Sequence, residues 1–216
     1  MKFLSKGRLA VAIIVLVLVI DQIIKIKVKT SMCLHEMIHV TDWFYILFTE
    51  NRGMAFGMEI FSKLFLTSFR LVAVGYMSYF IWKRLKLGAS WGFTVCIALI
   101  IAGAAGNIFD SVFYGLIFDE STPYSVAHFV NFGHGYESLF MGSVVDMFYF
   151  PLIETEWPTW MPFVGGEHFV FFSPIFNFAD AAISVGVAVL IVFYHKEFSK
   201  ALENNNNEKI EQEQEA

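Results

Sequence analysis

Six of the 216 residues are aspartates, and four of these, Asp21, Asp110, Asp146 and Asp180, stand inside or at the edge of apolar stretches. Ionised groups in such surroundings are costly and so mark functional positions by default. Two carboxylates that converge cannot both ionise easily; they share a proton and divide acid and base roles between them. That arrangement activates water against an amide without a metal or a covalent intermediate. A rival chemistry is written in His35-Glu36-Met37-Ile38-His39, the H-E-x-x-H spacing by which a helix presents two zinc ligands and a general base. A zinc peptidase built there needs a third ligand, for which His128, His134 and His168 are available. The stretch falls between the end of an apolar span and a strand-like run, however, whereas the motif works only on a stable helix.

The elements that carry these residues belong to a membrane. The chain is 56% hydrophobic with a mean hydropathy of +0.58, and 16% of its residues are charged, against about 25% in globular proteins. Apolar blocks run from about Leu9 to Val28, Leu64 to Trp82, Trp91 to Asp110 and Asn177 to Tyr194. Each is near the roughly 20 residues that cross a bilayer. The expected fold class is an all-α polytopic membrane protein with four transmembrane helices, a small extracytoplasmic β-sheet and an aromatic-rich outer loop. The first block follows Lys2, Lys6 and Arg8 but lacks a small-x-small cleavage site, so it reads as an uncleaved span. Lys83, Arg84 and Lys86 separate the second and third blocks, Lys196 and Lys200 follow the fourth, and residues 112–174 contain no Lys or Arg. The positive-inside rule then sets both termini in the cytoplasm and loops of about 29–63 and 111–176 outside.

Residues 38–57 have the β-branched and aromatic content of strands, broken by Asn51-Arg52-Gly53 as a turn. In the second loop, "YFPLIETEWPTWMPF" carries aromatics that prefer the bilayer interface. A single domain over residues 1–198 is expected, with a polar, disordered tail at 199–216. Cys33 and Cys96 cannot form a disulfide framework.

Within this frame the polar residues gather toward the outer ends of the third and fourth spans. "GAAGNIFDS" supplies small residues for close helix packing, then Asn107 and Asp110 one turn apart. Asp146 sits in the apolar "SVVDMFYFP". Asn177 and Asp180 open the fourth span, where Asp180 can also serve as a cap. Asp21 and Lys25 share one face of the first span, the spacing of a structural ion pair that tethers neighbouring elements. A non-enzymatic alternative, a small transporter with Asp21, Lys25 and Asp110 along a polar pathway, rests on these buried charges alone.

Five ordered blocks, "DQIIK" (21–25), "ENRGMAF" (50–56), "GAAGNIFDS" (103–111), "VVDMF" (144–148) and "FNFADAAIS" (176–184), resemble the lipoprotein signal peptidases, the type II signal peptidase family of bacteria. The resemblance covers roughly residues 10–195. It implies a four-helix aspartic peptidase of the cytoplasmic (inner) membrane, with its active site near the outer face. Its substrates would be diacylglyceryl-modified prolipoproteins, cut just before the lipidated cysteine. The implied catalytic pair is Asp146 and Asp180, with Asn51, Gly53, Asn107, Asp110 and Asn177 shaping the site and Asp21 and Lys25 supporting it. No cofactor, metal or nucleic acid is implied; the partners are prolipoprotein substrates and membrane lipid, and a monomer is expected. Two departures stand out. The family's block ends Gly-Asn-x-x-Asp-Arg, but Ser111 stands in place of the Arg, leaving Arg52 or Arg70 to supply the cation. In compact members the catalytic Asp follows the Asp110 position at shorter range, an offset that Asp119 occupies here. Asp146 is preferred because "SVVDMF" reproduces the local block, whereas "FDESTP" reads as a polar turn. Residues 119–143 then form an insertion in the outer loop, as in long variants of the family.

Overall fold

The computed structural model describes residues 5–53 and 59–203, and these divide into two compact units. The first comprises the chain up to Asp21, Thr67–Ile108 and Ala179 onward; the second comprises Gln22–Leu66 and Phe109–Phe178. The unit boundaries fall inside helices α1 (Lys6–Lys29), α2 (Glu59–Lys86) and α3 (Trp91–Phe109).

The first unit is helical. α1, most of α2 and the run from Trp91 to Ile117 are each long and apolar enough to cross a membrane. The 24 residues of α1 rise about 36 Å, enough for a hydrocarbon layer of roughly 30 Å. Large apolar side chains point outward from the helices: Val11 is 61% exposed, Val72 72% and Ile191 63%. Such faces suit lipid, not water. α3 is largely buried, and its small residues admit close neighbours. A Cβ on Gly103 would lie 2.2 Å from the Ala179 carbonyl oxygen, and one on Gly106 would lie 2.7 Å from the Asp21 carboxylate.

The expected fourth span is a continuous helix that is short for a crossing by itself. The 16-residue helix Phe178–Phe193 is followed, after a bend of 86°, by a helix over His195–Glu203, and the pair makes a fourth crossing only if counted as one span. The tail expected to be disordered from residue 199 therefore begins as helix. The reason is packing: Phe198 and Ala201 join the apolar core around Phe80 and Phe93. Glu197 also accepts the Ser90 backbone N–H at 2.8 Å and its hydroxyl at 2.6 Å. Residues 204–216 of that tail lie outside the described residues.

The second unit is mixed. Strands β1 (Met37–Thr41) and β2 (Phe44–Asn51) form a hairpin that turns at Asp42-Trp43, with Thr41 opposite Phe44. The sequence signal at Asn51–Gly53 marks the end of β2 instead. β2 pairs antiparallel with β3 (Val144–Tyr149). Between them in the chain come the π-helical turn Asp110–Tyr114 and the short α4 (Gly115–Ile117). Strands β4 (Ile153–Glu156) and β5 (His168–Phe171) make a separate hairpin where an irregular aromatic loop was expected. Isoleucine and threonine on one strand and Phe-Val-Phe on the other supply the β-forming content. β6 (Ile175–Phe176) completes a sheet of order β1-β2-β3-β6 and leads into α5 (Phe178–Phe193). The architecture is thus helical with two small antiparallel sheets, not all-α. Val28, Met32, Phe48, Tyr114, Phe118, Val145 and Met147 form the core of this unit.

Candidate active site

Asp146 lies in mid-strand, and the period of two decides its surroundings. Val145 and Met147 point into the core, so Asp146 points to the opposite face. There its cross-strand partner is Thr49 of β2, and a shift of register between Ile46 and Thr49 marks a β-bulge just before that pair. Thr49, Glu50, Asn51, Arg52, Asp146 and Ile175 line an open cavity of about 360 Å³. Asp146 is 4% exposed, and its Oδ1 accepts the side-chain N–H of fully buried Asn177 at 2.7 Å. Asn51, at the cavity rim, accepts the Gly53 N–H at 2.8 Å. Gly53 has φ +66°, a conformation that suits glycine and strains other residues. The 54–56 part of the "ENRGMAF" block lies outside the described residues.

Asp110 is consumed by structure. Its carboxylate is fully buried, pairs with Lys25 Nζ at 2.8 Å, and accepts Gln22 Nε2 at 2.9 Å and the Val145 N–H at 3.2 Å. Gln22 in turn accepts the hydroxyl of Tyr114 at 3.0 Å. The π-helical turn that begins at Asp110 thereby fixes the head of β3, one residue before Asp146. Lys25 meets Asp110, and Asp21 accepts the backbone N–H of Ala179 at 2.9 Å, capping α5 from a distant part of the chain.

Asp180 belongs to the helical unit, in the first turn of α5, where the helix dipole favours negative charge. Asn107 of α3, 5% exposed, donates its side-chain N–H to Asp180 Oδ1 at 2.7 Å. Asp146 and Asp180 are therefore each held by a buried asparagine within their own unit.

The structure also locates the rival candidates. H-E-x-x-H is no helix: His35 sits in a turn with φ +67°, and His39 is on β1 opposite Tyr45. Glu36 accepts the Cys33 N–H at 2.8 Å, and among the described residues no three His, Cys, Asp or Glu side chains are grouped to hold a metal ion. Asp119 lies in a polar turn, accepting the His128 N–H at 2.6 Å. A cation beside Ser111 is Lys63. Arg52 is exposed and lies 3.8 Å from Glu120, whereas buried Lys63 reaches Ser111 Oγ at 3.4 Å. Sequence reasoning also missed Lys29, which is fully buried, pairs with Glu50 at 2.5 Å and donates to Ser121 at 2.8 Å. Its ammonium lies 4.9 Å from the Tyr136 ring. Burial, and then the Glu50 charge, push the Tyr136 phenol well above its ordinary value. The only signal of Lys29 was a lysine at the end of an apolar helix, a pattern that snorkelling explains equally well.

Membrane-length helices, small antiparallel sheets and buried carboxylates mark a membrane protein with a polar interior. The fold is similar to a solved structure described as a bacterial membrane enzyme, with TM-score 0.57 and 22% identity over 85% of this chain and 90% of that one. A second, similarly described, gives TM-score 0.53 at 23% identity. The family model described as Signal peptidase (SPase) II matches residues 13–196, and the chain belongs to that family. It is similar to the lipoprotein signal peptidase of Porphyromonas gingivalis, 52% identical over 93% of this chain and 88% of that protein. The one from Amoebophilus asiaticus is 36% identical over 83% and 75%. The chain is therefore a protease and a bacterial membrane protein.

Proposed function

We propose that this protease is an intramembrane aspartic endopeptidase that removes the signal peptide from diacylglyceryl-modified prolipoproteins. Cleavage falls just before the lipidated cysteine, and Asp146 and Asp180 together activate the water. The observation that carries this reading is the matched setting of the two carboxylates. Each accepts the amide of a buried asparagine, Asn177 for Asp146 and Asn107 for Asp180, at 2.7 Å. The names of the relatives support the substrate class.

In the reaction, Asp180 acts first as base, because the positive end of α5 favours its ionised form. Asp146, almost out of solvent, carries the shared proton and delivers it to the departing amine. Water adds to the scissile carbonyl, and collapse of the tetrahedral intermediate frees the signal peptide from the lipidated chain. Asn51 lines the cavity, Gly53 lets the turn beside it form, and the Lys25–Asp110 pair and Asp21 play supporting parts. The protein works as a monomer in the cytoplasmic (inner) membrane as one peptidase domain over 1–198. Both termini are cytoplasmic, the site is near the outer face, and membrane lipid surrounds it. The test is a synthetic diacylglyceryl-modified peptide offered to purified protein, with products read by mass spectrometry. Release of the segment ahead of the lipidated cysteine, undiminished by EDTA, is expected; no cleavage, or loss of cleavage on chelation, contradicts the proposal.

A further inference from the structure

We propose that Lys63 is a positioning residue for this reaction: its buried ammonium braces the Asn51–Gly53 turn against Ser111 and so holds the wall on which Asp146 sits. The proposal rests on the peptidase reading above. Lys63 enters from α2, is 3% exposed, and places Nζ 3.4 Å from the hydroxyl of fully buried Ser111. The same side chain lies against the turn. A Cβ on Gly53 would stand 3.5 Å from Lys63 Cδ and 3.9 Å from its Nζ. Both ends of the brace lead to the cavity. The turn carries Asn51 and Arg52, which line it. Ser111 follows Asp110, whose carboxylate holds the Val145 N–H beside Asp146.

The test is a cycle of Lys63→Met, Ser111→Ala and the double variant, with Lys63→Arg as the charge-preserving control, assayed on the diacylglyceryl-modified peptide. Lys63→Met is expected to lower kcat about tenfold or more with KM within about twofold, because misplaced groups cost rate before they cost binding. Lys63→Arg keeps most of the activity, and the double variant is no worse than Lys63→Met alone. Undiminished kcat in Lys63→Met, equal losses in Lys63→Met and Lys63→Arg, or losses that multiply across the cycle overturn the proposal. Hydrogen exchange at the Gly53 N–H gives a reading that needs no substrate: Lys63→Met speeds it, and unchanged exchange also overturns the proposal. If the wild-type protein fails to cleave the peptide, the peptidase reading falls while exchange still decides the part of Lys63.

Discussion

Replacing Lys25 with methionine strips the counter-ion from a carboxylate that has no access to solvent. Both side chains of the Lys25–Asp110 pair are fully buried, 2.8 Å apart. Breaking such a pair from one side costs about 3–5 kcal/mol, because the remaining charge is stranded. Asp110 keeps other donors, Gln22 Nε2 at 2.9 Å and the Val145 N–H at 3.2 Å among them. That places the expected cost of Lys25→Met near the lower end, about 3 kcal/mol. For a chain of this size the corresponding fall in Tm is about 10 °C. Thermal unfolding of the purified protein in detergent, followed by intrinsic tryptophan fluorescence, measures it. Adding Asp110→Asn removes the stranded charge while keeping an oxygen for the Val145 N–H, so the double variant should regain at least about 1 kcal/mol over Lys25→Met. A loss below about 1 kcal/mol in the single variant, or simple additivity in the double, would refute the reasoning.

Asn107→Ala and Asn177→Ala each remove the amide that orients a carboxylate, and kcat for the lipidated peptide should fall about 10- to 100-fold in either. Gly106→Ala sets a methyl group 2.7 Å from the Asp21 carboxylate, whereas a Cβ on Gly75 meets nothing within 4 Å. The first should cost about 1–3 kcal/mol in denaturation and the second nothing, helix propensity alone favouring alanine there. The raised Tyr136 phenol keeps its proton in the folded state at pH values where the unfolded chain has lost it. Its contribution is therefore intact below about pH 10 and declines as pH rises further. A comparison of Tm at pH 7 and pH 10.5 should show a larger fall in wild type than in Tyr136→Phe.

What could be read from the sequence was local. The apolar blocks and the small-residue run before Asn107 have periodicity and composition that a window of twenty residues reveals. The same holds for the place of Asp180 in the first turn of α5. The misplaced hairpin turn shows the limit of local reading: Asn51-Arg52-Gly53 is a genuine turn signal, but it ends β2 instead of dividing two strands. Asp146 owes its cavity to pairing with Thr49, nearly a hundred residues earlier in the chain, which no window contains. The partners of buried charges were hidden for the same reason. Lys25 faces Asp110 and Lys29 faces Glu50, each on a distant stretch of the chain. H-E-x-x-H failed because its meaning depends on a helix, and the strand-forming Ile38, Val40 and Thr41 pull the stretch into β1.

The most direct measurement of the carboxylate mechanism compares wild type with Asp146→Asn, Asp180→Asn and Asp119→Asn on one diacylglyceryl-modified peptide, each variant first shown to unfold at a temperature close to that of wild type. Asp146→Asn and Asp180→Asn should each lose cleavage by at least about a thousandfold, the scale of removing an essential acid or base, while Asp119→Asn stays active. Cleavage that survives in both Asp146→Asn and Asp180→Asn, or that vanishes in Asp119→Asn and persists in Asp146→Asn, would contradict it.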